Sequence, residues 1–176
     1  MSFYERPEFT IVRKEKPFEI RRYESFHGVT YSYEEDKTLD QGFQTLFKYL
    51  SKENDENVKI SMTVPVIEVK KERIQKMSFV LPKVFGADPP KPLDPRLQIT
   101  KFEGGTYAVI SYRGASNAEK EGKKEEELMN WIKKHQWEVK GTVQVAYYNP
   151  PFIPGFLKHN EIMVRIEYTE DPILSK

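Results

Sequence analysis

The chain carries its own pattern twice, and that duplication constrains the fold more than any single motif does. Residues 97–112, LQITKFEGGTYAVISY, lie on residues 18–33, FEIRRYESFHGVTYSY, without a gap. Leu97 matches Phe18, Ile99 matches Ile20, Phe102 matches Tyr23, Glu103 matches Glu24 and Tyr112 matches Tyr33. In the first copy Phe18 and Ile20 alternate with Glu19 and Arg21, and Val29, Tyr31 and Tyr33 alternate with Thr30 and Ser32. Such alternation marks half-buried strands. The break over Glu24–Gly28 reads as a turn, so a hairpin is expected. Leu39, Phe43, Leu46, Phe47 and Leu50 then form one helical stripe, with Thr38 or Asp36 placed to cap it. Strands are expected over Val58–Val69 and Lys76–Leu81, joined by a turn around Lys71 and Glu72.

A proline-rich linker, residues 83–96, separates the copies. After it the order repeats. A second helix is expected over Asn117–His135, with Leu128, Trp131, Ile132 and His135 on one face and the run EKEGKKEEE as its solvated face. Gly141–Tyr148 is matched to Val58–Val64, Asn149-Pro150 to Val64-Pro65, and Glu161–Glu167 to Lys76–Pro82. The chain thus reads as one domain over residues 1–176, with repeats at about 18–82 and 97–167. Each repeat is strand–strand–helix–strand–strand, an α+β unit with one apolar sheet face. Two such half-sheets join most simply about a pseudo-twofold axis, giving a barrel-like antiparallel sheet of about eight strands with two helices.

Composition narrows the function classes. The formal net charge is +1, which argues against electrostatic capture of nucleic acid. There is no cysteine, so disulfides, thiolate chemistry and cysteine-ligated metals are excluded. No apolar run has signal-peptide length or approaches the ~20 residues of a membrane span, and a cytoplasmic location is expected. Gly-rich phosphate loops, G-x-S-x-G elbows and HExxH sequences are all absent, so nothing in the sequence marks an enzyme.

One segment resists a purely structural reading. Residues 147–160, YYNPPFIPGFLKHN, hold three prolines and four aromatics between two strand-like runs. Proline cannot donate to a sheet ladder, so the segment is a stiff apolar loop. It covers either a barrel mouth or a ligand lying in one. FEIRRYE (18–24), LFKYLSKEND (46–55), KISMTVPV (59–66) and YYNPPFIPGFLKHNEIMV (147–164) together resemble the SOUL, or haem-binding protein, family. The resemblance covers nearly the whole chain. It implies a distorted antiparallel eight-stranded barrel flanked by two helices, a unit shared with GyrI-like effector-binding domains. It also implies noncovalent binding of haem or another porphyrin in an open, apolar groove. Lys48 matches a helix lysine that meets a porphyrin carboxylate, whereas Asp40 and Ile153 stand where family members can carry basic residues.

A haem site needs an apolar wall, basic groups facing the propionates and often an axial ligand. Phe43, Phe47, Phe152 and Phe156 are the candidate wall, with core packing as the alternative for the two helix residues. Lys48 and Lys158 are the candidate propionate partners. His159, beside the aromatic loop, is the candidate axial ligand ahead of His27, His135, Met62 and Tyr148, although faces and edges can hold a tetrapyrrole without one. The expected function is an intracellular tetrapyrrole carrier or buffer. Two alternatives stand beside it. One is a GyrI-like sensor of flat amphiphilic cations, which needs a buried glutamate, with Glu24 and Glu103 at equivalent turns. The other is a tetrapyrrole-modifying, iron-releasing enzyme.

Overall fold

A computed structural model describes residues 4–34, 39–71, 74–150 and 152–170. Its strands are β1 (Phe9–Glu15), β2 (Phe18–Tyr23), β3 (Phe26–Glu34), β4 (Val66–Lys71), β5 (Ile74–Val80), β6 (Leu97–Phe102), β7 (Gly105–Arg113), β8 (Glu138–Val139), β9 (Gln144–Tyr147) and β10 (His159–Glu167). The helices are α1 (Leu39–Leu50) and α2 (Ala118–Lys134). The caps expected at Asp36 or Thr38, and Glu72 of the expected turn, lie outside the described residues, as do the side chains of Leu39 and Asp40. Asn117, where the second helix is expected to start, is its cap, with its side chain accepting from the Lys120 amide.

The sheet is antiparallel throughout, in the order β1-β2-β7-β10-β9-β4-β5-β3-β6, with β8 adding to the end of β10. It is an α+β fold made of a duplicated unit, and the curled sheet forms a half-barrel with β1 and β6 at its edges. β2 and β3 are not the expected hairpin: β2 pairs with β7 of the second copy, and β3 pairs with β6. Each copy therefore lends its first strand to the other. Alternation fixes which face a residue takes but not which strand lies beside it, so the sequence could not show the exchange. The crossing segments meet at Gly104, where a Cβ would lie 2.9 Å from both the Ser25 nitrogen and the Tyr23 carbonyl oxygen.

The strand expected over Val58–Val69 joins the ladder only from Val66, immediately after Pro65, which has no N–H to give. Register also corrects the matching of this region. Glu68 stands opposite Val145 where β4 meets β9, and each has the equivalent neighbour on its other side, Met77 for Glu68 and Ile162 for Val145. Glu68 and Val145 are thus the equivalent positions. β1 was not foreseen because a bulge between Ile11 and Arg13 interrupts its alternation.

Both helices cover one face of the sheet. α2 lies over Ile20, Ala108, Ile110, Ile162 and Val164, burying Leu128, Trp131 and Ile132. α1 lies over Val29, Tyr31, Tyr33, Met77 and Phe79, burying Leu46, Tyr49 and Leu50. The other face is the inside of the curl, because Phe102 on β6 and Arg165 on β10, five steps apart along the sheet, line one cavity there.

Candidate functional site

The aromatic stripe of α1 is wider than its buried face. Gly42 lets the helix approach the sheet, since a Cβ there would lie 3.0 Å from the Tyr31 ring. Leu46, Tyr49 and Leu50 fill the interface, and the Tyr49 hydroxyl donates to the Pro90 carbonyl at 2.5 Å. Phe43 sits at the margin, its ring edge-on to Phe79 with centroids 5.2 Å apart. Phe47 lies parallel to Phe43 at 6.4 Å and is 51% exposed. Lys48, exposed, follows it in the last helical turn, where a cation complements the helix dipole.

The loop after β9 divides its aromatics. Tyr147 turns toward the helices and Tyr148 toward the inner face, where its ring lies 5.2 Å from that of His159. Backbone bonds then tie the loop down. Ile153 donates to the Pro150 carbonyl, Leu157 to that of Pro154, and Gly114 of the β7–α2 junction to that of Lys158. Asn149 Oδ1 accepts from the His159 amide at 2.6 Å. On this anchored frame Phe152 and Phe156 are 80% and 76% exposed, and Leu157 is exposed beside them. The loop therefore does not plug the sheet with its phenylalanines; it presents them to solvent. Apolar side chains held out on a fixed frame mark a binding surface.

The structure brings Phe43, Phe47 and Lys48 together on α1, and Phe152, Phe156, Lys158 and His159 together around the loop. The ladder relates the two groups. Phe79, under Phe43, pairs with Val66, and Val66 pairs with Tyr147 at the root of the loop. His159 Nε2 lies 3.2 Å from Glu161 Oε2, so this ring nitrogen already has a partner. Lys158 is half-buried.

Two buried polar clusters were missed. On the inner face Arg21 grips Glu161 in a bidentate pair at 2.7 and 2.6 Å, with Ser111 also donating to Glu161. Burial alone would raise the Glu161 carboxyl, but hydrogen bonds from His159 and Arg21 outweigh it and hold the group at about 2. On the helix side Lys70 Nζ bridges Glu121 at 2.7 Å and Glu68 at 3.5 Å, and the Tyr147 hydroxyl donates to Glu121 at 2.5 Å. Burial raises the Glu68 carboxyl despite Lys70. The buried Tyr33 hydroxyl has no hydrogen-bond partner among the described residues, and burial with nearby Glu68 pushes it up to about 12. Arg21 and Glu161 are 140 positions apart, and Glu121 is hidden within the run read as a solvated face. Neither cluster leaves a local signal.

The sequence profile described as "SOUL heme-binding protein" matches residues 4–165. The chain belongs to this SOUL family. It is 31% identical over 113 residues to human "Heme-binding protein 2", covering 58% of this chain and 55% of that one. The chain thus spans about half the length of this curated relative. Among solved structures it is similar to the EcmrR C-terminal domain, with a TM-score of 0.64 at 10% identity over 86% of this chain and 98% of that one. A hydrolase from Listeria innocua gives a TM-score of 0.60 at 10% identity, covering 89% and 94% of the two chains. Likenesses at that identity establish the shared fold and nothing further. Membership of the SOUL family supports haem or ligand binding in general. No helix among the described residues is long and apolar enough to cross a membrane.

Proposed function

We propose that this protein binds haem or another tetrapyrrole noncovalently, as a cytoplasmic carrier or buffer, on the face formed by α1 and the 148–158 loop. The carrying observation is Phe47, half-exposed and parallel to Phe43, with Lys48 as its neighbour. A flat apolar ring stacks on such a surface while its carboxylates meet the ammonium. Phe152 and Phe156 would close over the other side, with Lys158 as the second cation. His159 fits an axial role poorly, because an Nε2–iron bond would have to give up the contact with Glu161. Binding through faces and edges is therefore the arrangement these residues support.

A second reading has one observation in its favour. A sensor of flat cations needs an uncompensated buried carboxylate. Glu24 and Glu103 are exposed, and Glu161 is closed by Arg21. The cluster of Glu68, Glu121 and Lys70, however, holds two carboxylates for one ammonium.

The deciding experiment titrates haemin and protoporphyrin, read by Soret absorbance, with a flat cationic dye as a parallel arm. Saturable binding of both rings, weakened by Phe47→Ala and unchanged by His159→Ala, is expected. If neither ring saturates, the carrier reading fails; if the dye alone binds, the sensor replaces it. Iron loss from bound haem over time would reveal the enzyme.

A further inference from the structure

The inner face of the first half holds a cavity of ≈ 860 Å³ that the tetrapyrrole reading does not use. Its wall has an uneven charge. Lys76, Lys101 and Arg165 line it against one acid, Glu103. Arg165 reaches the rim across two glycines: a Cβ on either Gly105 or Gly141 would lie 3.3 Å from its side chain. At the floor Thr100 donates to Thr30 Oγ1 at 2.8 Å, and Thr30 Oγ1 lies 2.7 Å from Ser78 Oγ. Three hydroxyls thus share two hydrogen bonds, so one O–H proton remains to donate elsewhere.

The other half shows what these positions hold when they are closed. Ser32 of β3 stands opposite Lys76, as its equivalent Ser111 of β7 stands opposite Glu161. Gly28 stands opposite Thr100, as its equivalent Tyr107 stands opposite Arg21. Lys76 and Thr100 therefore occupy the places of Glu161 and Arg21. The second half supplies its own carboxylate there and seals it with arginine. The first half places an ammonium and hydroxyls around a void, with no carboxylate at that position.

We propose that this cavity binds a small organic oxyanion, a phosphate or carboxylate on a compact hydroxylated body. The anionic group sits among Lys76, Lys101 and Arg165, and the ligand's hydroxyls meet the threonine–serine floor. The volume exceeds what a bare inorganic anion needs, and it lies in the range of small-molecule pockets. Phe102 and Val69 supply an apolar wall for the carbon skeleton.

The test uses the full chain, isotope-labelled, titrated by NMR with glucose 6-phosphate and with gluconate. Inorganic phosphate and glucose are separate arms. Saturable shifts of the Thr30, Ser78, Thr100 and Arg165 amides with either organic anion are expected, and the one that binds tells phosphate from carboxylate. Arg165→Gln should weaken that binding by about tenfold, the loss of one charge-assisted contact. Lys76→Gln, at an exposed side chain, gives a second variant should Arg165→Gln fold poorly. Haemin binding at α1 should be unchanged in both. The proposal is overturned if neither organic anion saturates, if their shifts fall elsewhere, or if phosphate or glucose alone binds as tightly.

Discussion

In the half under α2, Trp131 is buried between Phe18, stacked at 4.7 Å, and Trp137, and on the opposite side of the same strands Arg21 locks Glu161. In the half under α1, Phe47 stands half in solvent, and on the opposite side Lys76 and Thr100 face a cavity. The registers of β2–β7–β10 and β6–β3–β5 are equivalent at these positions, so the ladder itself does not cause this difference. Side chains do: under α2 the aromatic rings are buried and the inner carboxylate is paired, whereas under α1 an aromatic ring stays outside and charge is unmatched inside. Duplication supports such a division, because each half-sheet borrows a strand from the other. The comparison predicts that substitutions at the closed positions under α2 cost stability and those at the open positions on and under α1 cost binding.

The largest effects should come from closing residues of the second half. Trp131→Ala removes a buried ring and should destabilise by about 3–5 kcal/mol in denaturant unfolding. Arg21→Ala takes the bidentate cation from the buried Glu161, leaving it contacts to Ser111 and His159, at a similar cost of about 3–5 kcal/mol. Thr100→Ala, at the position equivalent to Arg21, loses one neutral hydrogen bond and should cost only about 1 kcal/mol. Equal losses at Arg21 and Thr100 would remove the distinction between the halves.

Acid should separate the halves next, through two buried glutamates with opposite shifts. Glu161 titrates at about 2 in the folded chain, against about 4.3 unfolded. Its stabilisation is complete above the unfolded value and is lost as pH falls toward 2, a change of about 3 kcal/mol. Glu68 is raised, so its ionised form opposes folding near neutral pH, and that cost is relieved as pH falls through its folded-state value toward the ordinary one. Stability measured downward from neutral pH should first rise slightly and then fall. Glu68→Gln should abolish the rise and keep the fall; a profile unchanged by it would mean that the helix-side cluster carries no excess charge.

How much of this was legible follows from what a sequence encodes locally. The gap-free match of residues 18–33 to 97–112 revealed the duplication, and the second helix was readable close to its observed span because its apolar stripe repeats locally. The exchange of β2 and β6 was not, since alternation reports faces and not neighbours. Phe43 and Phe47 appeared as part of an apolar stripe, but periodicity does not say where the stripe passes the edge of its contact. Here Gly42, Tyr49 and Leu50 take the interface, and Phe47 is left outside. Arg21 and Glu161 are ordinary charged residues until the fold sets them side by side.

On the first half, Phe47→Ala should leave stability within about 1 kcal/mol, because half of the ring is already in water. It should weaken haemin by about tenfold, or ~1.4 kcal/mol, by removing a stacking face. On the exposed β9–β10 loop of the second copy, the double variant Phe152→Ala/Phe156→Ala should weaken haemin similarly with no change in the unfolding midpoint. Loss of stability without loss of affinity in either variant would return these aromatics to the core.

Lys48→Ala should give the smallest effect, and its form is more informative than its size. An exposed ammonium meeting a carboxylate at the edge of a groove works through a screened interaction worth up to about 1 kcal/mol, so haemin affinity should fall by about threefold. Screening makes that contribution salt-dependent, and raising ionic strength should bring the wild-type and variant affinities together. The Phe47→Ala deficit should persist at high salt, since apolar burial is not screened. A lysine deficit that persists equally would mean that Lys48 acts through its aliphatic stem, packing beside Phe47 rather than pairing with a carboxylate. The ring would then sit on α1 without its acid edge reaching the helix end, and the cation for the propionates would have to be Lys158.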